Sequence, residues 1–332
     1  MALTRSLLGD HARSEEAARR AQAEAERCGD RATLGMAHYV LAIEGFTTGD
    51  AIGGLAHARE AVARMEQAGD RAWVAQACWI SGFLQYQLGE FDAAIESEMR
   101  MAAVAESLGD QGRQATALWT SAMCHVGRGD VVAAEEAARR ALNLSPDPSN
   151  RATAEALLAM AVAEAGDAER AIPLLEEAER QHEPFRLRQA GVTVSLAAAY
   201  REAGRIAEAR AAALRALEVS RLTSFAWARA SAERELGRVA MVLQDVTLAR
   251  GHLHAALELF RAIPARFEVG RTHLDLALLP EATHDAAERR RHLGEALRAF
   301  RAARAPRYLD RAERLAMDLG AADLIGDDAS RS

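Results

Sequence analysis

Lysine is absent from all 332 residues, so arginine alone supplies the 41 basic side chains. That rules out Schiff-base chemistry and any lysine-dependent phosphate loop; no G-x-x-x-x-G-K-[ST] or G-x-G-x-x-G run occurs either. A skew of this kind is what GC-rich codon usage produces. Cysteine is scarce: Cys28, Cys78 and Cys124 are widely spaced with no C-x-x-C pair, which excludes a disulfide framework and suits a reducing compartment. No apolar run is long enough for a signal peptide or a membrane span, so a cytoplasmic chain with no membrane partner is expected. Aromatics make up only 5% of a chain that is half hydrophobic, and alanine is by far the largest share of that half, which predicts a thin, closely packed core. A net charge of −7 argues against a nucleic-acid partner.

What the chain does have is punctuation. Gly9-Asp10, Gly29-Asp30, Gly49-Asp50, Gly69-Asp70, Gly89-Glu90, Gly109-Asp110 and Gly129-Asp130 recur every 20 residues. Glycine tolerates the left-handed conformation after a helix, and aspartate accepts the orphan N–H groups of the next one. A fixed period with this chemistry predicts a solenoid of helical hairpins. Later turns follow at Gly166-Asp167, Gly204-Arg205, Gln244-Asp245 and a degenerate one near His284-Asp285, with joints at Pro146–Ser149, Pro184, Thr223-Ser224 and Pro264-Ala265. The units so defined are a half-unit at 10–29, then 30–69, 70–109, 110–147, 148–183, 184–223, 224–263 and 264–304. A capping helix is expected over 306–319 and a frayed tail over 321–332. Pro173 is the awkward residue, expected in a first turn or at a mild kink.

Small residues recur at matching places. First helices carry Leu41-Ala42, Gly82, Ala122, Leu158-Ala159, Leu196-Ala197 and Leu236-Gly237; second helices carry Ala94, Ala134, Ala171, Ala209 and Ala249. This pattern resembles the tetratricopeptide repeat, over residues 10 to about 304. The resemblance implies an all-α, right-handed α-solenoid of about seven antiparallel hairpins. The units are longer than the usual 34 residues, the early aromatic of each first helix is missing, and Gly54 and Met101 stand where alanine is usual. The long units are similar to the C-terminal repeat regions of bacterial signalling ATPases, cyclase–ATPase fusions and maltose-regulator-like activators. Residues 1–9 read as the tail of a first helix whose beginning is absent, so the chain is expected to be, or descend from, the arm of a larger protein.

In this repeat family the first helices line a concave groove where partners bind. The resemblance places Met36, Tyr39, Ile43 and Phe46 there in the first unit and Gln76, Trp79, Phe83 and Tyr86 in the second. Thr116, Trp119, Met123 and Val126 follow, then Arg201 and Glu202, Arg234 and Arg238, and Arg271. Half of the aromatic side chains fall between Tyr39 and Trp119. An aromatic floor followed by arginines suits a protein or peptide with an apolar anchor and an acidic region. The competing reading is that these aromatics pack between helices and fill the core.

Catalytic and metal chemistry are not indicated. His252 and His254 point in different directions on a helix, His273 is a hairpin away, and Cys78 and Cys124 read as buried apolar residues. Gly53-Gly54 opens a helix with no preceding strand. No metal and no cofactor is expected. The reading is a protein- or peptide-binding module of bacterial signal transduction or transcriptional regulation, with an attached or docked effector domain. A small-molecule sensor and a structural or oligomerisation scaffold remain open beside it, and the oligomeric state is not legible.

Overall fold

The computed structural model describes residues 10–145, 147–184, 186–279 and 286–326. Among them every regular element is a helix: α1 (His11–Cys28), α2 (Arg31–Thr48), α3 (Ala51–Ala68), α4 (Arg71–Leu88), α5 (Phe91–Ser107), α6 (Gln111–Arg128), α7 (Val131–Leu144), α8 (Pro148–Glu164), α9 (Ala168–Gln181), α10 (Arg186–Glu202), α11 (Ile206–Leu222), α12 (Ala226–Val242), α13 (Val246–Ala262), α14 (Arg266–Ala277), α15 (Ala286–Ala302), α16 (Pro306–Asp318) and α17 (Asp323–Gly326). No helix among them is long and apolar enough to cross a membrane.

The Gly-Asp joints work as local chemistry requires. Gly69, at φ +73°, ends α3 in the left-handed region, and the Asp70 carboxylate then accepts the Trp73 N–H at 3.2 Å to start α4. Asp30, Asp50, Asp110, Asp130, Asp167 and Asp245 cap their helices in the same way. Where glycine is missing from a joint, Ser224, Gln244 and Arg304 are held at φ 49–59° instead. Each carries strain that glycine would not, of about 1–2 kcal/mol.

Each even-numbered helix from α2 to α14 packs on the helix that follows it, and successive first helices (α2, α4, α6, α8, α10, α12) also pack on one another. First helices therefore form the inner layer. The alanines at the hairpin crossings, Ala42, Ala94, Ala134, Ala171, Ala209 and Ala249, are completely buried. Gly54 departs from the pattern because it meets Gly45: a Cβ on Gly45 would lie 2.6 Å from the Gly54 Cα, so neither backbone can recede.

Two sequence expectations are corrected. Pro173 lies inside α9, beyond the first turn, so of the two alternatives expected for it the first-turn position is not the one it takes. The tail does not simply fray from residue 321: α17 forms, held by Arg290 on Asp323 and by Arg301 donating to the Ile325 carbonyl at 2.8 Å. The turn near His284-Asp285 and residues 1–9 lie outside the described residues.

The solenoid also closes on itself. The turns inside the first three hairpins rest against joints near the other end of the chain. Gly49 faces Ile263, Gly89 faces Phe267, and Gly129 faces Arg307 and Tyr308. Phe46 meets Phe225 at 5.4 Å and Tyr86 meets Trp227 at 6.2 Å. At the rim Asp92 accepts from Arg304 at 3.1 Å, and Glu164 from Arg307 at 3.3 Å. This seam fixes the curvature of the inner layer.

Candidate functional site: the inner face of the first helices

Residues of the expected aromatic stripe fall into two sets. Tyr39, Ile43, Phe46 and Trp119 are buried, whereas Met36 is 43% exposed and Gln76, Trp79, Phe83, Tyr86 and Met123 are half-buried. The buried set supports the accessible one. Gln76 Nε2 donates to the Tyr39 hydroxyl at 2.9 Å, fixing the amide beside the ring. Burial pushes the Tyr39 phenol up to about 12, against that hydrogen bond, so it stays neutral. Phe83 takes Phe46 edge-on at 5.2 Å, Trp79 at 5.1 Å and Trp119 at 5.8 Å. Such edge-to-face contacts are each worth about 0.5–1.5 kcal/mol beyond area burial. Four rings from α2, α4 and α6 are thus locked into one array. The Trp79 indole N–H, itself buried, has no acceptor among the described residues.

The array ends on polar groups that sequence reasoning missed. Asn150 Oδ1 accepts from Trp119 Nε1 and from Thr116 Oγ1, both at 3.1 Å. Next to it Arg188 Nη1 donates to Ser149 Oγ at 2.9 Å and Thr153 Oγ1 at 3.3 Å, with its guanidinium 5.5 Å from the Trp119 ring centroid. A signal existed in the repeat register. Asn150 and Arg188 precede Ala159 and Ala197 by the same offset that separates Trp73 from Gly82 and Arg113 from Ala122.

The expected arginines are engaged by their own chain. Glu235 accepts from Arg201 at 3.1 Å and from Arg238 at 3.0 Å, Arg238 also reaches Asp275 at 3.3 Å, and Glu268 binds Arg234 and, at 3.3 Å, Arg271. Burial raises the Glu235 carboxyl, but Arg201, Arg238 and Arg234 together outweigh it and hold it well below the usual carboxylate range. Glu268 is likewise lowered by Arg234 and Arg271 against its burial. These residues form an ionic ladder across α10, α12 and α14, in which the guanidiniums of the expected site already have partners. Arg201–Glu235 and Arg234–Glu268 both span 34 residues, so a carboxylate placed about one unit downstream was the signal in sequence.

Two shallow surface depressions lie elsewhere, one beside Asp245, Leu248 and His252 and the other beside Val131, Glu135 and Arg139. Both sit on second helices and reach none of the inward groups. Among the described residues no group of three His, Cys, Asp or Glu side chains is placed to hold a metal ion.

No protein-family model matches this sequence, and no curated protein does. Solved structures do resemble it in shape. A Rap protein complexed with competence and sporulation factor is 12% identical, with a TM-score of 0.63 over 97% of this chain and 96% of that one. The Rap conjugation gene regulator of plasmid pLS20, in complex with the Phr* peptide, gives 13% identity and 0.68 over 82% and 75%. NprR in complex with its cognate peptide NprX gives 15% and 0.57 over 96% and 97%. At such identities the likeness establishes the fold: an all-α, tetratricopeptide-like helical solenoid.

Proposed function

We propose that this chain is a peptide-binding regulatory module whose inner face receives a short peptide. One observation carries the reading. Gln76, Trp79 and Phe83, half-buried and held in place, connect through Trp119 to Asn150, with Met123 packed on the same cluster, so that three consecutive first helices offer one strip of aromatic and amide groups. Rings supply apolar anchors at little entropic cost, and amide side chains can pair with a peptide backbone. The likeness to NprR with its cognate peptide and to the pLS20 regulator with Phr* supports a peptide as the ligand. The similarity of the long units to repeat arms of signalling ATPases and maltose-regulator-like activators extends the reading. In that extension, occupancy shifts the solenoid and is relayed to an attached or docked effector domain.

The test uses a solution pool of random hexapeptides, selection on the purified chain, and mass spectrometry of what is retained. Trp79→Ala combined with Gln76→Ala is expected to lose the retained peptides while melting within a few degrees of the wild type. Trp119 is unsuitable for this purpose, because its burial makes truncation a folding change of about 3–5 kcal/mol. Retention of nothing by the wild type, or of the same peptides by the double variant, would overturn the assignment of this face.

A further inference from the structure

Arg188 differs from the other inward arginines. Arg201, Arg234, Arg238 and Arg271 each have a carboxylate of the chain within 4 Å. Among the described residues Arg188 has none, and its two hydrogen bonds go to neutral hydroxyls, Ser149 and Thr153. The acid whose charge acts on Arg188 is Asp147, whose two oxygens are committed to the Asn150 N–H at 3.0 Å and the Asn150 amide at 2.8 Å, capping α8. Burial lowers the Arg188 pKa and Asp147 only partly offsets it, yet a guanidinium stays charged throughout the physiological range.

Gly191 follows Arg188 by about one helical turn on α10, and a Cβ built there would meet nothing within 4 Å, so α10 is uncrowded at that position. On the other side the guanidinium lies against the Trp119 ring, which closes the aromatic array. A half-buried cation whose Nη1 is held by two hydroxyls, with an aromatic wall beside it and no carboxylate partner among the described residues, has the chemistry of a receptor for a planar anion.

We propose that Arg188 binds a carboxylate of the peptide, with Ser149 and Thr153 orienting its guanidinium beside the Trp119 ring. This rests on the peptide-receptor reading and deepens it: the ligand runs from an apolar anchor at Trp79 and Phe83 to an acid at Arg188. The acid is either the peptide's own C-terminus or an aspartate or glutamate side chain.

Two hexapeptide pools separate these sources, one with free C-terminal carboxylates and one C-terminally amidated. The wild type is expected to retain peptides from the free-acid pool. Retention lost on amidation assigns the C-terminus; retention kept, with aspartate or glutamate enriched, assigns a side chain. Arg188→Gln is expected to weaken the retained peptides about 30-fold or more, as loss of one partner of a desolvated charge pair does. Arg188→Lys, which keeps the charge and loses the fork, falls between. A fold control needs no ligand. Arg188→Met removes a charge that lacks a carboxylate, so the empty protein should melt at or above the wild-type temperature. Unchanged retention by Arg188→Gln, or retained peptides from the amidated pool without acidic residues, would overturn this inference alone. Retention of nothing from either pool removes the peptide reading and this inference with it.

Discussion

Phe91, at the start of α5, meets Phe267, at the start of α14, edge to face, with ring centroids 4.9 Å apart and planes at 80°. Phe267 in turn takes Tyr308 edge-on at 5.2 Å, so a hairpin turn near the N-terminus, the α14 joint and the capping helix share one aromatic cluster. Solenoids ordinarily hold together only through neighbouring units. Here a long-range seam adds a second set of contacts, and the inner face is shaped by both.

The seam makes two glycines unequal. Gly49 and Gly69 both lie in the left-handed region, but a Cβ on Gly49 would come 2.3 Å from Ile263 Cγ2, while one on Gly69 would meet nothing within 4 Å. Gly69→Ala is expected to cost about 1–2 kcal/mol from backbone strain alone. Gly49→Ala should cost about 1–3 kcal/mol more, from overpacking. Urea midpoints followed by circular dichroism compare the two; equal losses would mean that the seam opens without penalty.

The ionic ladder predicts an acute sensitivity at Arg234. Arg234→Met leaves the buried Glu268 with Arg271 as its remaining partner, and breaking a buried pair on one side costs about 3–5 kcal/mol. Arg234→Met with Glu268→Leu should recover most of that loss. The ladder also sets an acid limit. Glu235 and Glu268 have folded pKa values below their unfolded ones, so the stability they contribute is present above about pH 4.5 and is lost as pH falls through the folded values. Melting temperature measured from pH 6 to pH 3 should drop steeply below pH 4.5 in the wild type and less steeply in Glu235→Gln.

Glu98 carries the opposite sign. It is completely buried against Gly82, neither carboxylate oxygen has a partner among the described residues, and burial pushes its pKa well above the usual range. Its contribution is fully present below the unfolded pKa and is lost as pH rises through the folded value. Glu98→Met should therefore raise the melting temperature at pH 8, by the equivalent of about 1–3 kcal/mol. The gain should shrink at pH 4. A gain that did not depend on pH would show that packing, not ionisation, separates the two proteins.

How much of this was legible beforehand follows the range of the interactions. Gly69-Asp70 announces a joint because left-handed backbone and N-capping are local chemistry, settled within four residues. The small residues at Ala42 and Ala94 mark hairpin crossings for the same reason. Phe91 and Phe267 could not be paired in advance, because their contact depends on the pitch of the whole superhelix. The joints did hold a trace of it: Asp-Arg-Ala at residues 30–32 and 70–72 becomes Phe-Ala-Trp at 225–227 and Arg-Phe at 266–267. The inward arginines were visible as a stripe; their occupancy was legible only through the spacing of Glu235 and Glu268, one unit downstream of Arg201 and Arg234 and three residues before Arg238 and Arg271. Gly82 was legible as a small residue, yet what fills its space is the Glu98 carboxyl rather than a close backbone.

Two histidine pairs give the fold a second acid response, at milder pH. His273 and His292 lie with their Nδ1 atoms 2.6 Å apart in the core between α14 and α15, and His38 and His57 repeat the arrangement at 2.9 Å between α2 and α3. Only one nitrogen of each pair can carry the shared proton, so the accepting ring of each pair must be neutral for the hydrogen bond to form, and the two rings cannot both be charged. Burial, then the neighbouring His292, then Arg261, Arg291 and His254 push His273 down to about 3. A base depressed in this way adds stability that is complete above its unfolded pKa of about 6.5 and declines as pH falls towards the folded value. Each such group should cost up to about 1.4 kcal/mol per pH unit in that window. The wild type is therefore expected to lose melting temperature between pH 7 and pH 5, before the glutamates titrate. His273→Phe should flatten that part of the profile while leaving the steeper fall below pH 4.5 in place. A profile unchanged between pH 7 and pH 5 by His273→Phe would show that the pair accepts a proton without disturbing the hairpin.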